Sequence, residues 1–193
     1  MAEHLHPVTK GEVTQILASL RAGDHAALDR LFPLVYEELR VLARRQLRRG
    51  PSGSTLGATG LVHEAYLKLS GGSALDAESR GHFLGIAARA MRQVLIDQAR
   101  GRLAQKRGGD LRRTTLGDGD DAVDMAPDDL LALNAALEEL EPRQRQVVEL
   151  RFFAGLEEQE IAVILGVSER TVRRDWVKAR AWLVRSLAPH QES

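Results

Sequence analysis

The chain has 193 residues and a mass of 21.3 kDa, enough for one medium domain or two small ones. Hydrophobic residues make up 44% and charged residues 28%, a folded composition, while the absence of Cys excludes a disulfide scaffold, a thiolate zinc site and a thiol nucleophile. The 27 Lys and Arg balance 27 Asp and Glu, so bulk charge announces no polyanionic partner.

The distribution of charge says more. Residues 1–103 carry 14 Lys and Arg against 10 Asp and Glu, residues 104–129 carry 4 against 7, and residues 130–193 carry 9 against 10. A basic front part is followed by an acidic middle. No apolar run reaches the roughly 18–20 residues that cross a bilayer. The start, from Met1 to Lys10, lacks the apolar stretch of a secretory signal. A cytoplasmic protein with no membrane partner is expected.

Helical periodicity dominates from the first element onward. Val13, Ile16, Leu17 and Leu20 recur at i, i+3, i+4 and i+7, and Gly23 follows as a stop. Asp24 can cap a second helix, whose stripe is Leu28, Leu31, Phe32, Val35, Leu39 and Leu42. Pro33 inside that stripe should kink the helix or mark its true start. The basic run Arg44, Arg45, Arg48, Arg49 suits the helix's C-terminal end, and it reads first as a solvated end and second as a nucleic-acid surface. Residues 50–57 read as a loop.

A third helix spans about 59–70, with Leu61, Val62, Ala65 and Leu69 on one face, and Gly71-Gly-Ser breaks it. A fourth runs from about 80 to 102, with Phe83, Ile86, Ala87, Ala90 and Val94 inward and Arg89, Arg92, Gln93 and Arg100 on the other face. No stretch shows sustained alternation, so the fold class is all-α. Residues 103–127 lose apolar periodicity and fill with Gly and charge. A structureless stretch of that length inside a compact domain is improbable, so it reads as a flexible linker. Its acidic half carries Asp118, Asp120, Asp121 and Asp124. Pro127 and Asp128 open a helix carrying Leu130, Leu133, Leu137 and Leu140, and Pro142 suits the first turn of another that ends near Gly155.

The sharpest local signal lies in residues 155–183, which fit a helix-turn-helix. Ile161, Ile164 and Leu165 pack the first helix, and Ala162 is small where two helices must approach. Gly166 allows the positive φ of a tight turn, and Ser168 can cap the second helix. Val172, Trp176 and Ala179 form that helix's inner face, leaving Arg170, Arg173, Arg174, Val177 and Lys178 outside. A second helix with a basic, hydrogen-bonding outer face is what major-groove reading requires. An ordinary helical hairpin with a solvated charged face explains fewer of these positions at once.

Leu140-Glu-Pro-Arg-Gln-Arg-Gln-Val-Val-Glu-Leu-Arg-Phe-Phe-Ala-Gly-Leu156, run into the helix-turn-helix, resembles the −35-reading domain of bacterial sigma factors. Leu61-Val-His-Glu-Ala-Tyr-Leu-Lys-Leu69 is similar to the core-polymerase-binding helix of their other domain, and residues 83–102, with Ile96-Asp97, to the −10 helix. Order, spacing and linker match the extracytoplasmic-function (ECF) subfamily. The sequence departs from it at Gly57-Ala-Thr-Gly60, where members often carry acidic residues, at Ile86, often aromatic, and at Gln93, often Asn.

The resemblance implies a sigma factor and not an enzyme, with no cofactor and no metal. Its domains would be residues 10–102 for core polymerase and the −10 element, a linker over 103–127, and residues 128–187 for the −35 element. It assigns Arg170, Thr171, Arg173, Arg174, Val177 and Lys178 to the −35 duplex. It assigns His82, Arg89, Arg92, Gln93 and Arg100 to the −10 element, with a pocket for extruded bases around 71–80. Leu61, His63, Glu64 and Leu67 would dock on core RNA polymerase. The partners are core polymerase, promoter DNA and, where one exists, an anti-sigma protein. The alternative is a helix-turn-helix activator that is not a polymerase subunit. A helical enzyme finds no phosphate loop, metal cluster or nucleophile–base set to support it. His4 and His6 read as part of a disordered N-terminus, and Asp118-Gly-Asp-Asp121 as solvated linker in the absence of a closing Glu.

Overall fold

The computed structural model describes residues 10–24, 26–48, 56–71, 75–107 and 126–188. All regular structure among them is helical, as the sequence predicts. The order is α1 (Lys10–Arg21), α2 (Ala26–Leu47), α3 (Ala58–Ser70), α4 (Arg80–Arg107), α5 (Pro127–Glu138), α6 (Pro142–Val148), a π-helical turn (Glu149–Ala154), α7 (Glu158–Leu165) and α8 (Glu169–Ser186). His4, His6 and the acidic Asp118, Asp120, Asp121 and Asp124 lie outside the described residues.

The first core is made by the apolar stripes of α1 to α4. Leu17, Leu31, Leu39, Leu61, Phe83, Met91 and Ile96 are fully enclosed in it. Burying each such side chain contributes about 1.5–3 kcal/mol, which is how four amphipathic helices hold together with so few aromatics. Gly23 ends the α1 region at φ +92°, a value that an L side chain would resist. The Asp24 carboxylate pairs with Arg30 at 2.6 Å, while its backbone carbonyl accepts from Ala27 N–H. Pro33 does not start α2, which begins seven residues earlier at Ala26. It sits on the exposed side, where solvent can satisfy the carbonyl its ring leaves without a donor.

The second core takes Leu137, Val147, Val148, Leu150, Phe153, Ile161, Val172 and Ala179 from α5 to α8. Pro127 opens α5 at its first turn, and Asp129 Oδ2 accepts from Ala126 N–H at 3.2 Å. The helix from Pro142 widens at Glu149 into a π turn and stops at Gly155, φ +79°.

α4 is the wall between the two cores. Its 28 residues span about 42 Å. One face (Phe83, Ala87, Met91, Val94) closes the first core, and another meets α5 and the π turn. The two cores interlock there, since Leu130 of α5 belongs to the first cluster and Ala88 of α4 to the second. The helix also runs five residues past the expected end at 102. Arg102, Leu103, Ala104, Gln105, Lys106 and Arg107 all propagate a helix well.

Candidate nucleic-acid and polymerase-facing surfaces

The turn between α7 and α8 is built as its residues dictate. Gly166 adopts φ +62°, and Val167 N–H returns to the Ala162 carbonyl at 3.0 Å, satisfying a carbonyl that the end of α7 would otherwise orphan. Ser168 Oγ accepts from Thr171 N–H at 3.2 Å and so caps α8. Val172 and Ala179 are fully buried and Trp176 half-buried, which turns Arg170, Arg173, Arg174, Val177 and Lys178 outward, with Thr171 half-buried at the edge.

Two ionic contacts fix that face. Asp175, only 2% exposed, accepts a 2.6 Å bond from Arg143 Nε and ties α8 to α6. Burial works against ionising Asp175, but the Arg143 hydrogen bond and charge outweigh it and hold the carboxyl below its usual range. Glu158 of α7 accepts from Arg173 at 3.1 and 2.8 Å and from Arg151 at 2.7 Å. Those bonds, Arg173 first, hold its carboxyl low, and Arg151 in turn lies 4.8 Å above the Trp176 ring. Among the described residues, Arg170 and Lys178 make no ion pair.

The second surface lies on α4. Arg89 and Arg100 are exposed and His82 and Gln93 half-exposed. Gln93 donates to Asp97 at 3.0 Å, Lys68 reaches the same carboxylate at 2.8 Å, and Arg100 stands 4.0 Å away. Burial opposes ionisation of Asp97, and the bonds from Lys68 and Gln93 overcome it, so its carboxyl sits below the usual range. Arg92 corrects the sequence expectation. It is 4% exposed, bonded to Glu149 at 2.5 Å and stacked 4.9 Å from the Phe153 ring, so it cannot touch a ligand in this conformation. Of the expected base pocket, residues 72–74 lie outside the described part, and Ser79 Oγ caps α4 by accepting from His82 N–H at 3.2 Å.

The third surface lies on α3. His63, Glu64 and Leu67 are exposed, Leu67 by 48%. Leu61 is again a correction: it is wholly buried in the first core, because it shares the stripe of Val62, Ala65 and Leu69 and holds the helix instead of docking. Beside His63 lies an open groove lined by Phe32, Pro33, Tyr36 and Tyr66, which sequence reasoning left out of the surface. Phe32 and Tyr66 meet edge to face at 4.8 Å, and the Tyr66 hydroxyl donates to Asp29.

Sequence reasoning also missed Glu149, Asp175 and Glu158, the carboxylates that pin the basic side chains. A signal existed for Asp175, which falls at i+3 from Val172 and i−4 from Ala179 and so on the inner face.

No helix among the described residues is long and apolar enough to cross a membrane. A family model described as ECF sigma factor matches residues 10–189. No curated protein matches the chain. Among solved structures, the chain is similar to CnrH in complex with the cytosolic domain of CnrY, at 19% identity over 90% of this chain and 96% of that one, with a TM-score of 0.39. It is also similar to the sigma factor RpoE in complex with the anti-sigma factor NepR from Bartonella quintana, at 20% identity over 84% and 98%, with a TM-score of 0.36.

Proposed function

This chain belongs to the ECF sigma factor family, and from that membership we propose that it directs core RNA polymerase to promoters by reading a −35 duplex with α8 and opening a −10 element with α4. ECF sigma factors bind core RNA polymerase and promoter DNA in transcription initiation. The finer roles are residue assignments. Arg170, Thr171, Arg173, Arg174, Val177 and Lys178 face the −35 duplex. His82, Arg89, Gln93 and Arg100 contact the −10 strand. His63, Glu64 and Leu67 dock on polymerase beside the Phe32–Tyr36 groove.

The observation that carries this reading is the outer face of α8. Cations stand outward on a capped helix whose roll is fixed from behind by the Asp175–Arg143 pair. A helix held that way presents its side chains in one register to a groove. Opening DNA costs a few kcal/mol per extruded base, so a second surface must recover it through base and phosphate contacts. The exposed cations of α4 are suited to that.

The test is reconstitution. The purified chain with core polymerase should give run-off transcripts from a subset of a promoter library, and promoter DNA should be bound specifically only with core present. Specific binding by the free chain, with no change in the start sites used by polymerase, would favour the activator reading.

A further inference from the structure

The exposed strip of α4 holds more than cations. Arg89, Gln93, Asp97 and Arg100 stand at i, i+4, i+8 and i+11 and share one face. Arg89 makes no ion pair among the described residues, and Arg100 reaches Asp97 only at 4.0 Å. Between these two cations lies a side-chain amide whose orientation its neighbour sets. Gln93 Nε2 donates to Asp97 Oδ1 at 3.0 Å, a pairing that suits i, i+4 positions on a helix. The other carboxylate oxygen, Oδ2, is taken from α3, where Lys68 Nζ donates to it at 2.8 Å.

The chemistry of the pair decides which end of the amide meets Asp97. An ionised carboxylate only accepts hydrogen bonds, so it admits the NH2 end and repels the carbonyl end. Burial works against ionising Asp97, and the bonds from Lys68 and Gln93 outweigh it, so the group stays acceptor-only at neutral pH. The amide is held in one of its two flip states. One N–H is spent on Asp97, which leaves Gln93 its second N–H as a donor and Oε1 as an acceptor.

In the major groove a donor beside an acceptor has one full match. Adenine offers an N6 donor next to its N7 acceptor, whereas guanine offers two acceptors, and cytosine and thymine offer one polar partner each. A Gln free to turn can present its NH2 group to guanine. A Gln held by Asp97 meets guanine with a carbonyl that finds no donor. Resting on the reading of α4 as the −10 surface, we propose that Asp97 is a positioning residue: it holds Gln93 by the amide hydrogen trans to Oε1, and the edge left free selects adenine over guanine in a base pair still closed beside the opened DNA. Arg89 and Arg100 flank that edge and are placed for the neighbouring phosphates.

The hold on Gln93 is testable in the free chain and its consequence on holoenzyme. In the 15N-labelled parent, the Gln93 amide proton trans to Oε1 should lie downfield and exchange slowly. Asp97→Asn, which offers the amide either of its own ends, should abolish both signs, and Asp97→Glu should retain them. Circular dichroism should show that both variants keep their helix content. On reconstituted holoenzyme, open complexes should form about tenfold better with adenine than with guanine at one duplex position bordering the opened −10 DNA. Replacing that adenine by 7-deazaadenine, which lacks N7, should remove most of the advantage. Asp97→Asn should accept adenine and guanine within about twofold, and Asp97→Glu should restore the preference. In a Gln93→Ala background, Asp97→Asn should change the preference no further.

Gln93 amide signals that ignore Asp97→Asn overturn the hold. Equal weakening on every promoter, with the preference intact, reduces Asp97 to a tie between α3 and α4 and overturns its positioning role. A preference that survives 7-deazaadenine overturns the adenine edge. If the parent forms no open complex with core on any promoter, the polymerase reading fails and the base selection with it, while the amide protons still decide whether Asp97 holds Gln93.

Discussion

α8 and α4 both carry rows of cations, and the structure uses them in opposite ways. In α8 three residues are buried, Val172, Asp175 and Ala179, and every cation points outward. In α4 two faces are buried against two different cores, and the exposed remainder is a strip holding Arg89, Asp97 and Arg100. An arginine on a helix that serves one core goes to solvent by default. On a helix shared by two cores, the same spacing can place it in the second interface, where it needs a carboxylate. Glu149 is that carboxylate for Arg92.

The largest expected effect tests whether α4 truly serves both cores. Phe83 is fully buried in the first, and Phe83→Ala should cost about 3–5 kcal/mol. Both Trp residues, 176 and 182, lie on α8, so fluorescence reports the second half while circular dichroism reports all helices. If α4 couples the halves, both signals should move to lower denaturant together. Two separated transitions, with fluorescence unchanged, would break the comparison and make α4 a first-core helix only.

Next comes the anchor behind α8. Asp175→Asn leaves Arg143 without its carboxylate and should cost about 1–3 kcal/mol, read by the Trp transition. The pH dependence follows from the depressed folded pKa of Asp175. Its contribution is complete above the unfolded value of about 4 and is lost as pH falls through the lower folded value. The parent's second half should therefore lose stability on acidification below about pH 4 relative to Asp175→Asn. Parallel pH profiles would show that the carboxylate does not set the register of α8.

What could be read from the sequence divides along the same line. Gly166, Ser168 and the Val172–Ala179 stripe announce α8 because caps, turns and one buried face are local features. The all-helical fold follows for the same reason. Arg92 did not announce itself. Periodicity shows which face of a helix avoids water, but cannot distinguish solvent from a second protein surface on the opposite side. Gly81 and Gly85 were the available clue, two helix-weakening residues one turn apart in an otherwise good helix. Leu61 shows the converse limit, since a motif's resemblance includes the residues that build the surface along with those that form it. The π turn had no local signature, and the extension of α4 to Arg107 was masked by the charge that suggested a linker.

Smaller effects are expected at the two helix starts, which share one device. Ser168 caps α8 and Ser79 caps α4, each through a 3.2 Å bond from the third residue on. Each Ser→Ala change should cost about 0.5–2 kcal/mol. Fraying should weaken −35 binding for Ser168→Ala alone, measured on a −35 duplex with holoenzyme. Ser79→Ala should leave −35 binding alone and slow promoter opening. Equal effects of both on −35 binding would mean the two surfaces do not act separately.

The smallest expected effect concerns Arg173, the one outward cation of α8 that a carboxylate grips from another helix. Glu158 holds it with two bonds, and the role of that grip can go either way. If Glu158 merely neutralises Arg173, Glu158→Gln frees a cation for phosphate. The plot of log K against log salt for any duplex should then steepen by up to about 0.9, with sequence preference unchanged. If Glu158 aims Arg173 at a base edge, the salt slope stays put and preference relaxes at a single −35 position. The fixed orientation of α8 favours aiming. pH provides the control. The Glu158 carboxyl is held low by Arg173 and then Arg151, so lowering pH through that depressed value should bring the parent to the behaviour of Glu158→Gln, the acid loss of stability set by Asp175 being common to both. A parent and a variant that remain different at the lowest pH the fold tolerates would place the effect of the substitution elsewhere than in the grip on Arg173.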